Sequence, residues 1–400
     1  MQRDILFSFT VDTVTVEVEK LDFPRFMPPE SLSLYEGAFR AFAEYVCYPF
    51  DVILRRVMSV RFCFHYDEKA MREIEELCEG YLMECSMKGF LEYLEKSEEN
   101  AKELLPPHIT EPDLSEERIE YACETIKAET KRWAVYMERL GEESGDLEWV
   151  RFSYVGREAR EEFYGRYREK EGASRLLVSL PGYNAEWNDL SAYMDGDYDI
   201  LAISPLGYNT PWGYDDSKRL NGAWPVLYET VCGIEKTTGY YKWVFQAALA
   251  VSTARKEGQE LVFLGTSQGG GLSLILASVF NDETVACACE MPFFIGLSGV
   301  NYNTVRNFVA DQMGKEHMVY NFWAKERLAV VDPMRHLGRL NCRILLVAGE
   351  KDEECKPRDI KMLYDALSCE KEYVELKGQG HGFTNEFKEL AKAWISSEEE

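Results

Sequence analysis

Histidine is scarce in this 400-residue chain, with five copies at positions 65, 108, 317, 336 and 381. None stands at ligand spacing with a pair of cysteines, so no zinc site is expected. The eleven cysteines are an odd number, scattered, and contain no C-x-x-C pair. A disulfide framework is therefore not expected, and buried, reduced thiols in a cytoplasmic protein are. Basic residues are outnumbered, 45 against 70 acidic ones, for a formal net charge of −25. Nucleic acid and anionic membrane surfaces would both be repelled, so neither is expected as a partner. Long apolar runs are missing as well. Nothing approaches the roughly 20 residues of a membrane span, and the opening "MQRDILFSFTVDTV" has no secretory h-region. There is no internal repeat and no low-complexity tract, and no metal or cofactor is expected.

What remains is a chain rich enough to fold: 46% hydrophobic and 13% aromatic. Its length predicts one large domain plus a smaller one. Residues 4–19 alternate apolar and polar in part and read as a strand or hairpin. From Leu32 onward the pattern turns helical, with Met71, Ile74, Leu77, Tyr81 and Leu82 near helical spacing. A breaker-rich linker, "ELLPPHITEPDLSEE", covers 103–117. Asp113 and Glu116 then read as a capping box. The helix behind it places Ile119, Ala122, Cys123, Ile126, Trp133, Met137 and Leu140 on one stripe. Residues 1–145 are thus expected to be a mostly helical region, a cap or an interface.

After Leu147 the pattern changes. "EWVRFSYVG" and "EEFYGRYR" read as paired strands. "SRLLVSLPGYN", "DYDILAISPLGYN", "ELVFLG", "TVACACEMPFF" and "CRILLVAGEKD" read as apolar strands, interleaved with helices at "YYKWVFQAALAVSTAR", "GGGLSLILASVF" and "NEFKELAKAWI". Apolar strands alternating with helices predict an α/β domain over 146–400 with a mostly parallel, doubly covered sheet.

One stretch carries chemistry. Gly265-Thr266-Ser267-Gln268-Gly269 fits G-x-S-x-G between a predicted strand and a predicted helix, the setting in which a sharp turn lifts a serine hydroxyl out of a sheet. Such a hydroxyl needs a base, and the base needs an acid. In this fold order the acid comes next and follows a later strand. Asp352 lies just beyond "RILLVAG", with Glu350 as its rival and Glu353 and Glu354 behind. The base is a histidine, and only His381 follows the acid, in the glycine-rich loop "LKGQGHGF". An acyl-transfer site also needs oxyanion donors. The backbone N–H of Gln268 is one candidate. The backbone N–H of Tyr183, in "SLPGYNAEWND", is the other. Aromatics after two strands, among them Trp187, Tyr208 and Trp212 with Tyr214 and Trp224, are candidates to wall a pocket.

The C-terminal portion of about 250 residues resembles the acetyl xylan esterase / cephalosporin C deacetylase family of α/β-hydrolases. The family's G-x-S-Q-G-G stands here as Gly265 to Gly270, and "MPFF" (291–294) is similar to its P-F-L. "VDPMRHLGRLNCRILL" resembles the segment before the family's acid, and "GEKDEECKP" resembles G-x-x-D-x-x-C-P-P, which places Asp352 on the acid and Cys355 on a family cysteine. "PGYN" is similar to H-G-Y-x, whose tyrosine amide helps form the oxyanion hole; that role carries onto Tyr183. There are departures. The family's R-G-Q-G is "SPLGYN" here, Pro181 replaces the histidine before G-Y, and Gly382 replaces the glutamate after the catalytic histidine.

The resemblance implies an α/β-hydrolase fold and a serine carboxylester hydrolase acting on a small-molecule ester, removing acetyl or another short acyl group. The family's hexameric assembly leaves a homo-oligomer open. Activity is expected to rise as His381 deprotonates and to fall below about pH 6. A peptidase, an acyltransferase or a C–C bond hydrolase would use the same three residues. A scaffold without activity is the rival of a different class.

Overall fold

A computed structural model describes residues 5–11, 14–20 and 60–65, and then 114–396 apart from 145–146, 156–159, 185–186, 221, 233–238, 306–308, 310–321 and 383. The chain divides into two compact units: Met1–Asp113 with Met313–Ala324, and Leu114–Gln312 with Lys325–Glu400. In the first, strands β1 (Ile5–Val11), β2 (Val14–Lys20) and β3 (Val60–His65) form an antiparallel sheet in that order. The expected hairpin is present. Strand β3 lies in a part expected to be helical, where "VRFCFH" alternates with the period of a strand. The helical pattern at 71–82 and the linker up to 113 lie outside the described residues.

The second unit begins with helix α1 (Glu116–Arg132). Ser115 caps it, its hydroxyl accepting from Arg118 N at 3.3 Å; Asp113, of the expected capping box, lies outside the described residues. Glu116 and Glu117 at its start and Lys131 and Arg132 at its end oppose the helix dipole. The helix does not run to Leu140. Trp133 is extended (φ −87°, ψ 129°), and Val135–Ser144 forms strand β4, paired antiparallel with β5 (Leu147–Val155). The stripe of Trp133, Met137 and Leu140 fits helical spacing, but pairing with β5 decides the outcome. The compact unit that holds Ser267 begins at Leu114.

The remaining elements follow in α/β alternation. Among them are β6 (Arg160–Arg168), β7 (Arg175–Leu180), β8 (Tyr198–Ser204), the short pair β9 (Asn209–Thr210) and β10 (Gly213–Tyr214), α2 (Val226–Cys232), α3 (Gly239–Ala254), β11 (Glu260–Thr266), α4 (Gln268–Val279), β12 (Thr284–Glu290), β13 (Arg343–Gly349), α5 (Pro357–Ala366), β14 (Lys371–Leu376) and α6 (Asn385–Ser396). Nine strands form one sheet in the order β14-β13-β12-β11-β7-β8-β6-β5-β4. From β14 to β8 every pairing is parallel; β6, β5 and β4 are added antiparallel.

Parallel strands covered on both faces should read as continuous apolar runs. Strands β8 and β13 do so, buried at every position. Helix α4 is buried all round, which fits its place behind the central strands. The sheet thus brings the C-terminal ends of β7, β11, β12 and β13 side by side, where ligands of open parallel sheets bind.

Candidate active site

Ser267 sits between β11 and α4 with φ 56° and ψ −121°, a backbone conformation that side chains rarely adopt. Such a residue costs of order 1–3 kcal/mol and persists only where its surroundings hold it. Three backbone bonds do so. Ser267 N donates to Glu290 O at 2.8 Å, and Ser267 O accepts from Gly271 N at 3.0 Å and Phe293 N at 2.9 Å. The glycines explain the rest of the turn. A Cβ on Gly265 would stand 2.3 Å from Gly269 C, and one on Gly269 would stand 2.2 Å from Leu180 O. Strand, turn and helix can approach this closely only without those side chains.

The turn aims Ser267 Oγ at His381 Nε2, 2.9 Å away. On its other side, His381 Nδ1 is 2.7 Å from Asp352 Oδ2. Asp352 follows β13, and its Oδ1 accepts from Glu354 N and Cys355 N, both at 2.8 Å, which fixes the carboxylate. Its carboxylate is fully buried, while His381 keeps some exposure. The Asp352 hydrogen bond holds the His381 pKa above the ordinary histidine value, outweighing the opposing effect of burial. The acid limb expected from sequence near pH 6 accordingly moves upward. Glu350, the rival acid, is turned away and accepts from Gly378 N at 2.7 Å.

Among the described residues, Asp352, Cys355 and His381 bring possible ligand atoms within 4.8 Å of one another. Both imidazole nitrogens already face Asp352 and Ser267, and burial pushes the Cys355 thiol well above its ordinary pKa.

A cavity of about 410 Å³ opens beside Ser267, and both Gln268 and Tyr183 line it. Gln268 is the first residue of α4, where backbone N–H groups have no acceptor within the helix. Its side chain is held elsewhere, Oε1 accepting from Tyr240 Oη at 2.8 Å. The Tyr183 hydroxyl donates to Trp224 O at 2.9 Å.

The other expected pocket aromatics are not among the lining residues. Trp187 packs edge-on against Trp149 and under Arg166. Tyr208 is buried, stacked on Trp224 at 4.3 Å. Trp212 is 74% exposed and touches Tyr164. Their sequence positions after strands were right for a pocket, but core stacking and the β9–β10 turn claim the side chains.

Sequence reasoning missed Glu290, at the end of β12. It is fully buried, and its pKa is raised to about 7, chiefly by desolvation. Its carboxylate accepts from Thr266 Oγ1 at 2.9 Å and from Thr384 N at 2.8 Å and Thr384 Oγ1 at 2.5 Å. Glu290 thus ties the residue before Ser267 to the loop that carries His381. The one signal was an acid ending an apolar strand, "TVACACE". Tyr240 was missed too, because nothing in a buried helix marks a residue that faces a cavity.

The acetyl xylan esterase (AXE1) family profile matches residues 153–398. No curated protein matches the chain. Among solved structures, acetyl xylan esterase 1 from Thermoanaerobacterium sp. JW/SL YS485 is similar at 18% identity and a TM-score of 0.55, over 71% of this chain and 93% of that one. The acetyl xylan esterase from Paenibacillus sp. R4 is similar at 18% identity and a TM-score of 0.53, over 71% of this chain and 97% of that one. At such identity the likeness speaks to the fold, which is that of the α/β-hydrolases. No helix among the described residues is long and apolar enough to cross a membrane. The family match places the chain among hydrolases of the carboxylesterase type. It spans well over half of the residues, and the chain belongs to the acetyl xylan esterase family.

Proposed function

We propose that this protein is a serine carboxylester hydrolase that removes acetyl or other short acyl groups through an acyl-enzyme. The observation that carries the reading is the Ser267–His381–Asp352 relay, with links of 2.9 and 2.7 Å, at the end of a strained strand-to-helix turn. His381 Nε2 takes the proton from Ser267 Oγ as the oxygen attacks the ester carbonyl. Asp352 fixes the imidazole and favours its charged form. The backbone N–H groups of Gln268 and Tyr183 serve as oxyanion donors; losing one such donor typically lowers turnover about 100- to 1000-fold. His381 then returns the proton to the departing alcohol. Water, activated by the same histidine, cleaves the acyl-enzyme. No metal or cofactor is needed for these steps.

Hydrolysis of p-nitrophenyl acetate and butanoate by the wild-type protein and Ser267→Ala tests this reading. Wild type should turn over, and Ser267→Ala should lose at least roughly 10⁴-fold in kcat. Equal rates for the two proteins would sink it.

A further inference from the structure

Glu290 holds a position that the three relay residues do not account for. It ends β12, between the strands that lead to Ser267 and Asp352, and it is fully buried. It is not among the residues that line the cavity, so it acts on the reaction through other groups. A buried carboxylate is costly unless its oxygens are satisfied, and an apolar residue continuing "TVACAC" would avoid that cost. Three donors offset it here. Oε2 accepts from Thr266 Oγ1 at 2.9 Å, and Oε1 accepts from Thr384 N at 2.8 Å and Thr384 Oγ1 at 2.5 Å. The backbone oxygen of Glu290 accepts from Ser267 N at 2.8 Å. One residue thus grips the nucleophile turn at two points and the histidine loop at two more. With a proton on Oε2 the contact to Thr266 runs in the opposite sense, so the grip survives protonation.

The histidine loop has need of such a grip. Gly378 and Gly382 stand on either side of His381 with φ 74° and 147°, and among the described residues a Cβ on either would meet nothing within 4 Å. A backbone this permissive and this open takes its shape from its anchors. Glu350 Oε2 holds the start of the loop at Gly378 N, and Glu290 holds its end at Thr384. The Thr384 oxygen also accepts from Phe387 N at 3.1 Å, which joins that anchor to the first turn of α6. We propose that Glu290 is a positioning residue for the reaction, clamping the nucleophile turn to the histidine loop so that Ser267 Oγ and His381 Nε2 are kept within proton-transfer distance. This rests on the acyl-enzyme reading and deepens it.

The test is kcat and KM for p-nitrophenyl acetate, with thermal melts, on wild type, Glu290→Gln, Glu290→Leu, Thr266→Val, Thr384→Val and the double threonine variant. Glu290→Leu cuts every side-chain bond of the clamp. A misplacement of about 1 Å can cost about 100-fold, so its kcat should fall by about that factor with KM within about twofold. Glu290→Gln should stay within about fivefold of wild type, because its amide oxygen accepts from Thr384 and its amide nitrogen donates to Thr266. Each threonine variant should lower kcat at least about fivefold, and the double variant should be no slower than the slower single, since either cut opens the same clamp. Losses that multiply in the double variant would overturn the inference, and so would wild-type kcat in a folded Glu290→Leu. Glu290→Gln as slow as Glu290→Leu would also overturn it, assigning the role to charge. Should Glu290→Leu fail to fold, the threonine variants decide alone. In all these outcomes an active wild type leaves the hydrolase reading intact. A wild type that cleaves no ester would remove that reading, and this one with it.

Discussion

His381 is held by one carboxylate and aimed at one hydroxyl, so its proton affinity should be visible in the kinetics. Its pKa is raised, with the Asp352 hydrogen bond the largest favourable cause. In the proposed mechanism the neutral imidazole is the base, so kcat/KM should climb with pH, with its midpoint above the ordinary value of 6.5. Asp352→Asn should lower kcat by about 10⁴-fold and move that midpoint down. A pH–rate profile on both proteins reads the two effects; an unmoved midpoint would mean that Asp352 does not set the affinity. Glu290 makes a separate claim about stability. Its folded pKa of about 7 lies above the ordinary 4.5, so the folded state holds the extra proton. Folding stability should therefore fall by about 3 kcal/mol as pH rises from 4.5 through 7. His381, also raised, adds in the same direction. Glu290→Gln should flatten much of that slope in denaturant titrations between pH 5 and 8; an unchanged slope would assign it to other groups.

At the scale of elements, the strand-to-helix turn has the sharpest consequence. Gly269→Ala would force a methyl onto Leu180 O and should destabilise the fold by about 3 kcal/mol. Gly338 has open space around its Cα, so Gly338→Ala should be near neutral or slightly stabilising. Thermal melts of the pair separate steric need from glycine content; similar losses in both would refute the steric account. This turn was readable in the sequence because its glycines and serine have fixed spacing and its neighbours are apolar runs of strand length. The same holds for the buried strands from β7 to β13 and for α6. Other features were not readable. Strand β4 mimics a helical stripe and is settled by its pairing with β5, a contact that local spacing does not encode. Strand β14, "KEYVEL", mixes charged with apolar residues at the sheet edge and lacks the continuous run that marked its neighbours. The pocket walls depend on which faces of α2 and α3 turn toward Ser267, which is decided by packing alone.

Across the whole molecule, the relay residues lie 114 and 29 positions apart in sequence and meet only because β11 and β13 flank β12 in one parallel sheet. Their chain order, serine then acid then histidine, was legible because each follows a strand of that sheet. Glu290, at the end of the strand between, completes the arrangement through the Thr266 and Thr384 hydroxyls. What the sequence could not supply was the cavity beside Ser267, which exists only once the loop after β13, the segment after β12 and residues of α2 and α3 come together. The central claim is that Ser267 is a nucleophile activated by His381. The most direct measurement is the rate of covalent labelling by a fluorophosphonate, followed by intact mass and peptide mapping, on wild type, Ser267→Ala and His381→Ala. The account predicts one adduct per wild-type chain, mapped to Ser267, none on Ser267→Ala, and labelling of His381→Ala slowed at least 100-fold. Equal labelling of wild type and His381→Ala, or an adduct on another residue, would contradict it.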